Sequence, residues 1–182
     1  FYGCSSLTSI VIPKGVTSIG ESAFEDCSSL SNISIPQGVT EIRYNTFAGC
    51  SSLISVEIPK GVTSIGEYAF EYCSSLVSVT IPEGVTEIDI RTFYKCTSLA
   101  RVEIPKSITK IGGAAFSFCS SLESVALPEG LISIGNQAFN SCSTLVNVII
   151  PESVTEIGEY AFYNCKSLTN ITIPEGVTEI KD

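Results

Sequence analysis

Apolar residues recur along this chain in a fixed order and at a fixed spacing. Leu7, Leu30, Leu53, Leu76, Leu99, Leu122, Leu145 and Leu168 stand 23 residues apart. Each is followed three residues later by Ile or Val (Ile10, Val56, Ile171), five later by Ile or Leu (Ile12, Leu127, Ile173), and then by Pro. The L-x-x-I-x-I-P segment ends in period-two alternation of β-branched residues, which predicts a short strand, and Pro closes it by withholding an N–H from any further ladder. The P-x-G-V that follows predicts a type I turn with Pro second and Gly fourth, where Ser107 and Ser153 can replace Gly. V-T-x-I alternates again and predicts a second, shorter strand on the opposite side of the coil. The G-E-x-A-F stretch then turns back, with one helical or 3₁₀ turn as an option, and plants a Phe in the interior.

Eight cysteines, Cys4, Cys27, Cys50, Cys73, Cys96, Cys119, Cys142 and Cys165, keep the same 23-residue register. The template is therefore C-S-S-L-x-x-I-x-I-P-x-G-V-T-x-I-G-E-x-A-F-x-x. A fixed period of this length is the signature of a solenoid, in which a unit buries its apolar side only by stacking on its neighbours. The fold class predicted is a repeat solenoid with a parallel sheet of strands about 4.8 Å apart. Residues 1–182 read as a single solenoid of about eight repeats. The chain begins and ends in mid-repeat, as a fragment of a longer array without capping repeats would, so both ends are expected to expose core residues. The inward columns are those of Leu7, the Ile/Val and Ile/Leu pairs, Val16, Ile19, and the Phe1 to Phe162 ladder.

Charge narrows the partners. Nineteen acidic against ten basic residues give a net charge of −9, which repels phosphate backbones and anionic lipid heads, so no nucleic acid is expected. No stretch approaches the roughly 18 to 20 apolar residues of a bilayer-spanning helix, so no direct membrane insertion is expected, and the first residues given do not read as a basic-then-apolar leader.

Residues that look like chemistry have plainer readings. Eight cysteines without a C-x-x-C pair, and with no His anywhere, argue against a metal site or cofactor. Neighbours in a stacked Cys column stand about 4.8 Å apart, whereas a disulfide wants Cβ atoms near 3.8 Å, so a buried free-thiol ladder is expected. The Ser-Ser pairs, such as Ser5 and Ser6, lack any base to activate them and read as turn residues satisfying backbone groups. Glu57 and Glu103 fall two turns apart, wide for a glycosidase pair. No catalytic residue is expected. Asn32 and Asn170 stand in glycosylation-type triplets, as chance allows in a chain rich in Ser and Thr.

The template, quoted for instance from Cys50 to Phe70, resembles the BspA-like, or Treponema pallidum type, class of leucine-rich repeats over the whole chain. That resemblance implies a curved solenoid whose parallel sheet is concave, with short strands and turns on the convex side. It also implies a cell-surface or secreted protein that adheres to host or matrix proteins. One departure from other leucine-rich repeats is that Pro stands after the strand, where an Asn ladder would otherwise form.

Binding would lie where the template relaxes. The outward columns, five and seven residues after each Cys, make a polar concave strip through Asn32, Ser34, Ser55, Glu57, Ser78, Thr80, Arg101, Glu103, Ser124 and Asn147. The strip lacks the Tyr and Trp that anchor hot spots. A second candidate is an aromatic edge at Tyr72, Tyr94, Phe118 and Tyr163, with Tyr2, Tyr68 and Tyr160 near it. Protein partners rank first; a glycan groove on the strip and a passive spacer are the alternatives.

Overall fold

The structure is a computed structural model and describes residues 1–181. The chain coils into a solenoid in which, among the described residues, each repeat from the second on lays down a three-residue strand and each from the second to the seventh also a two-residue strand across the coil. The first set comprises β1 (Asn32–Ser34), β3 (Ser55–Glu57), β5 (Ser78–Thr80), β7 (Arg101–Glu103), β9 (Ser124–Ala126), β11 (Asn147–Ile149) and β13 (Asn170–Thr172). The second comprises β2 (Glu41–Ile42), β4 (Ser64–Ile65), β6 (Glu87–Ile88), β8 (Lys110–Ile111), β10 (Ser133–Ile134) and β12 (Glu156–Ile157). Both sets are parallel, and equivalent residues pair: Ser78 with Arg101, Asn147 with Asn170, Ser133 with Glu156. The repeat period is thus the pairing register. Among the described residues the first repeat forms no strand and no helix is present, so the helical option for G-E-x-A-F is not taken.

Two details differ from the sequence reading. The tight turn closes with the Val16 amide donating to the Pro13 carbonyl at 3.0 Å, and the Val62, Val85 and Val154 amides repeat it on Pro59, Pro82 and Pro151. Pro is therefore first in the turn and Gly third, so the turn begins one residue later than expected. Gly at that position does not have positive φ, so Ser107 and Ser153 fit, and their hydroxyls donate to the carbonyls of Val85 and Leu131 in the turn before, at 2.6 Å each.

The corner carrying the Phe is built without a helix. The amides of Tyr68, Phe70 and Tyr72 donate to the carbonyls of Ile90, Thr92 and Tyr94 in the next turn, at 3.0, 2.9 and 2.8 Å. The intervening amides of Ala69, Glu71 and Cys73 turn back onto Gly66, Tyr68 and Phe70 of their own turn. Alternating directions require two residues per corner with positive φ, the second of them two after the Phe: Asp26, Gly49, Tyr72, Lys95, Phe118, Ser141 and Asn164. Gly49 fits that position best, since an added Cβ would collide with the Asp26 carboxylate. Gly112 and Gly135 serve a different need, close approach of successive backbones: a Cβ there would lie 2.7 Å from the carbonyl carbon of Asp89 and of Gly112 respectively.

The inward columns pile up as expected. Leu30 through Leu145, Phe47 through Phe139 and Ile42 through Ile134 are buried, while the terminal turns expose their counterparts, Phe1 at 65% and Ile180 at 80%. Phe rings of successive turns stack with centroids 5.3 to 5.6 Å apart and planes within 13° of parallel. Ladder-bonded strands stand only about 4.8 Å apart, so the turns lie farther apart at the Phe corner than along the strands, and the three-residue strands take the concave side that the repeat resemblance implies.

Six cysteines, Cys27 through Cys142, are buried and unpaired, and each thiol from Cys27 to Cys165 donates to a Phe carbonyl one turn back, as Cys96 does to Phe70 at 3.1 Å. Burial, and after it the neighbouring thiol, pushes Cys50 up to about 12 and holds Cys73, Cys96 and Cys119 well above the ordinary thiol value. Hydroxyls run a parallel ladder: Ser51, Ser74 and Thr97 each donate to the carbonyl of the equivalent residue one turn back, at 3.3 Å.

Two measurements follow from this core. Leu76→Ala should cost about 2 to 5 kcal/mol in chemical denaturation; no measurable loss would place the Leu column outside the core. Thiols of the unfolded chain ionise near about 8.5 while the buried ones stay neutral, so their contribution is complete below that pH and is lost as pH rises toward the folded values. Stability should therefore fall between about pH 9 and pH 11, and Cys96→Ala should flatten the decline by about 1.4 kcal/mol per pH unit. An identical slope in the variant would mean that Cys96 ionises in the folded chain.

Candidate interaction surfaces

Two surfaces emerge where the template relaxes. On the concave face the strands alternate exposed, buried, exposed, so Asn32, Ser34, Ser55, Glu57, Ser78, Thr80, Arg101, Glu103, Ser124 and Asn147 all point to solvent in two continuous columns. The strip dips in two places. A depression of about 440 Å³ lies among Ser55, Glu57, Lys60, Ser78 and Thr80, and one of about 330 Å³ among Ser78, Thr80, Arg101 and Glu103. Thr80 donates its hydroxyl to the Glu103 carboxylate across one turn at 3.0 Å. The strip is shallow and polar, interrupted by the apolar pair Ala126 and Ile149, the latter 82% exposed, before Asn170 and Thr172 continue it. A larger hollow of about 580 Å³ opens on the two-residue strands beside Lys110, Gly135, Asn136 and Glu156, where nothing in the repeat pattern pointed.

The aromatic edge gathers three of its four expected members. Tyr72 and Tyr94 meet edge to face at 5.7 Å, and Tyr94 and Phe118 do so at the same distance. Tyr163 is not among them: it pairs with Tyr160 at 5.8 Å in a later turn, and the intervening turn carries Asn140 and Ser141 at the matching positions. What binds the cluster together are two cations that sequence reasoning passed over. The Lys95 ammonium stands 4.9, 5.4 and 5.7 Å from the ring centroids of Tyr72, Tyr94 and Phe118. The Arg91 guanidinium lies 4.8 Å from Tyr94 and 5.9 Å from Tyr68. Placing such cations over ring faces is worth about 0.5 to 2 kcal/mol.

Three adjacent columns generate this arrangement, reading Tyr68, Arg91, Ala114; Glu71, Tyr94, Ser117; and Tyr72, Lys95, Phe118. Aromatic and charged residues alternate as on a chequerboard. A usable signal was present, because Arg91 and Lys95 are the only cations in their columns. Arg91 also reaches Glu71 at 3.7 Å. Burial nevertheless raises the Glu71 carboxyl above its ordinary value, with Arg91 and Lys95 opposing that shift.

Comparison with known proteins places this architecture. The chain matches the family described as BspA type leucine rich repeat region, in six copies over residues 1–122 and 86–182. A leucine-rich repeat protein from Bacteroides ovatus is similar at 40% identity and a TM-score of 0.93, covering 98% of this chain and 46% of that one. The T. pallidum leucine-rich repeat protein is similar at 31% identity and a TM-score of 0.81, covering 90% of this chain and 78% of that one. The pneumococcal vaccine antigen PcpA shares the fold at 23% identity and a TM-score of 0.60, over 94% of this chain and 52% of that one. This chain thus spans less than half the length of the Bacteroides protein. No protein of curated function matches it.

The raised Glu71 carboxyl has a measurable consequence. A folded carboxyl held above its unfolded value favours the fold only while protonated, and that advantage disappears as pH rises through the folded value. Glu71→Gln should therefore be at least as stable as the parent at pH 7, with the difference closing at about pH 4, in urea titrations at both pH values. A destabilised variant at pH 7 would mean that the Arg91 ion pair outweighs the burial of the charge.

Proposed function

This chain belongs to the BspA-type leucine-rich repeat family, and from that premise we propose that it is a non-catalytic protein-interaction module of a cell-surface or secreted protein, serving adhesion. Its partner is a protein, engaged across the concave strip. The observation that carries this reading is the strip itself: seven parallel strands in a four-stranded and a three-stranded ladder, each presenting two outward side chains, with small hydroxyl and amide groups in most rows. Such a face gives extended area, and repetition along it gives avidity to a partner that is itself elongated.

The thiol column fits an oxidising exterior once its environment is considered. Reactivity follows the thiolate, and the inner thiols are inaccessible, bonded to carbonyls and held protonated. Protein ranks above glycan because the strip carries no aromatic platform.

The immobilised chain, tested by surface plasmon resonance against a panel of extracellular-matrix proteins and on a glycan array, should bind protein. A double substitution on the strip, Ser78→Arg with Ser124→Arg, should weaken that binding by about tenfold or more. Glycan binding that disappears on substituting Asn147 and Arg101 would establish the carbohydrate reading instead. Silence on both supports would leave a passive spacer.

A further inference from the structure

We propose that the chequerboard of Tyr68, Tyr72, Tyr94 and Phe118 around Arg91 and Lys95 is a second docking surface, an anchor for an extended acidic segment of a polypeptide. The proposal rests on reading the chain as an interaction module, but on a face separate from the strip.

Three independent observations carry it. Backbone strain is concentrated there. In other turns the two columns held at positive φ carry Asp26, Asn45, Gly49 and Asn164, which enter the left-handed region at low cost, beside Ser22, Gln137, Ser141 and Tyr160, which do not. Within the patch every such position carries a residue of the costly kind, Tyr68, Tyr72, Arg91, Lys95, Ala114 and Phe118, at φ between 51° and 62°. Bulky residues in that region cost energy, and such outliers gather where a surface binds something.

Charge is the second. In a chain of net charge −9, two of the ten basic residues stand within one turn of each other, and among the described residues the single carboxylate paired with them is Glu71. The patch is thus a cationic island on an acidic body, complementary to carboxylates.

Exposure and ring orientation are the third. Tyr72 is 46% and Phe118 41% exposed, an apolar area that the fold leaves uncovered. Tyr and Arg are also the residues that dominate protein interfaces. The cations already sit on the ring faces that a sugar would stack against, which leaves edges, Tyr hydroxyls and the outer sides of Arg91 and Lys95 to a partner. That favours polypeptide over glycan. The patch spans three turns and ends at Ala48 and Gly49 on one side and Asn140 and Ser141 on the other, so it suits a short extended segment of about five residues.

The test uses the whole chain and a fluorescein-labelled twelve-residue peptide of alternating Glu and Pro, followed by fluorescence anisotropy. Pro keeps the probe extended, and Glu supplies the carboxylates. The peptide should bind, and its Lys-Pro counterpart should not. Arg91→Gln with Lys95→Gln should weaken binding by about tenfold, each exposed charge contact accounting for a few-fold change. Glu71→Gln should tighten it by a few-fold, a gain that misfolding cannot produce. The strip variant Ser78→Arg with Ser124→Arg should bind the peptide as the parent does, which separates failure of this anchor from failure of the strip. No peptide binding, binding indifferent to Arg91, Lys95 and Glu71, or a hyaluronan oligosaccharide binding in the peptide's place and lost with the same two cations would overturn the proposal.

Discussion

Everything in this molecule depends on successive turns staying in phase. A single turn has no core of its own: its Leu, Ile, Val and Phe are covered only by the equivalent residues above and below. The backbone enforces that phase at both strand sets and again at the Phe corner, where alternate amides reach forward into the next turn. Side chains then repeat the same displacement, hydroxyls reaching back 23 residues and thiols 26. A side chain fixed in phase has little freedom to vary. Positions that point inward, or that bond between turns, are therefore nearly constant from Cys27 to Cys142, and variation is confined to what faces water.

That confinement produces two unlike surfaces. The concave strip inherits the regularity of the strands, so its residues sit in evenly spaced rows and no row is energetically dominant. The aromatic edge inherits the irregular corner, where forward and backward amides alternate and two residues per turn adopt positive φ. A corner whose own backbone is already bonded can carry side chains unrelated to the core. The molecule uses that freedom at Tyr72, Lys95 and Phe118 and declines it at Gly49 and Ser141. Even-handed area and a local cluster of anchors are complementary ways of holding a protein partner, the first through extent and the second through a few strong contacts.

Most of the fold was legible in the sequence because a repeat reports its own register. Eight copies of one template average away the exceptions, and periodicity of two around Ile33 or Val79 states directly which side faces inward. The outward residues followed from the same alternation. The corner was not legible. The pattern G-E-x-A-F looks helical in a single copy, and its true course depends on hydrogen bonds to the next turn, which no local preference encodes. The turn after the strand was displaced by one residue for a similar reason, since both placements of Pro satisfy local geometry and only the bond from Val16 to Pro13 chooses between them. Arg91 and Lys95 are not legible from the aromatic positions alone, because they fill the places between rings in columns that carry no other cation. Tyr163 was grouped with Tyr94 by its place in the template, although three turns separate them.

The sign of the charge matters most at the edge. Acidic residues two or more turns from Lys95 lie at least about 10 Å away along the stack, beyond the Debye length of about 8 Å at physiological salt. A partner at contact therefore feels Arg91, Lys95 and Glu71 far more than it feels the net −9 of the chain. At larger distance, or at low salt, the whole acidic body acts and repels anything broadly negative. A wide acidic surface is turned away before contact, while a narrow acidic segment on a neutral or basic carrier reaches the island and is held. Selectivity of this kind needs no pocket. It needs a small positive patch stiffened by aromatic rings on a negative scaffold, and the three corners from Tyr68 to Phe118 supply one.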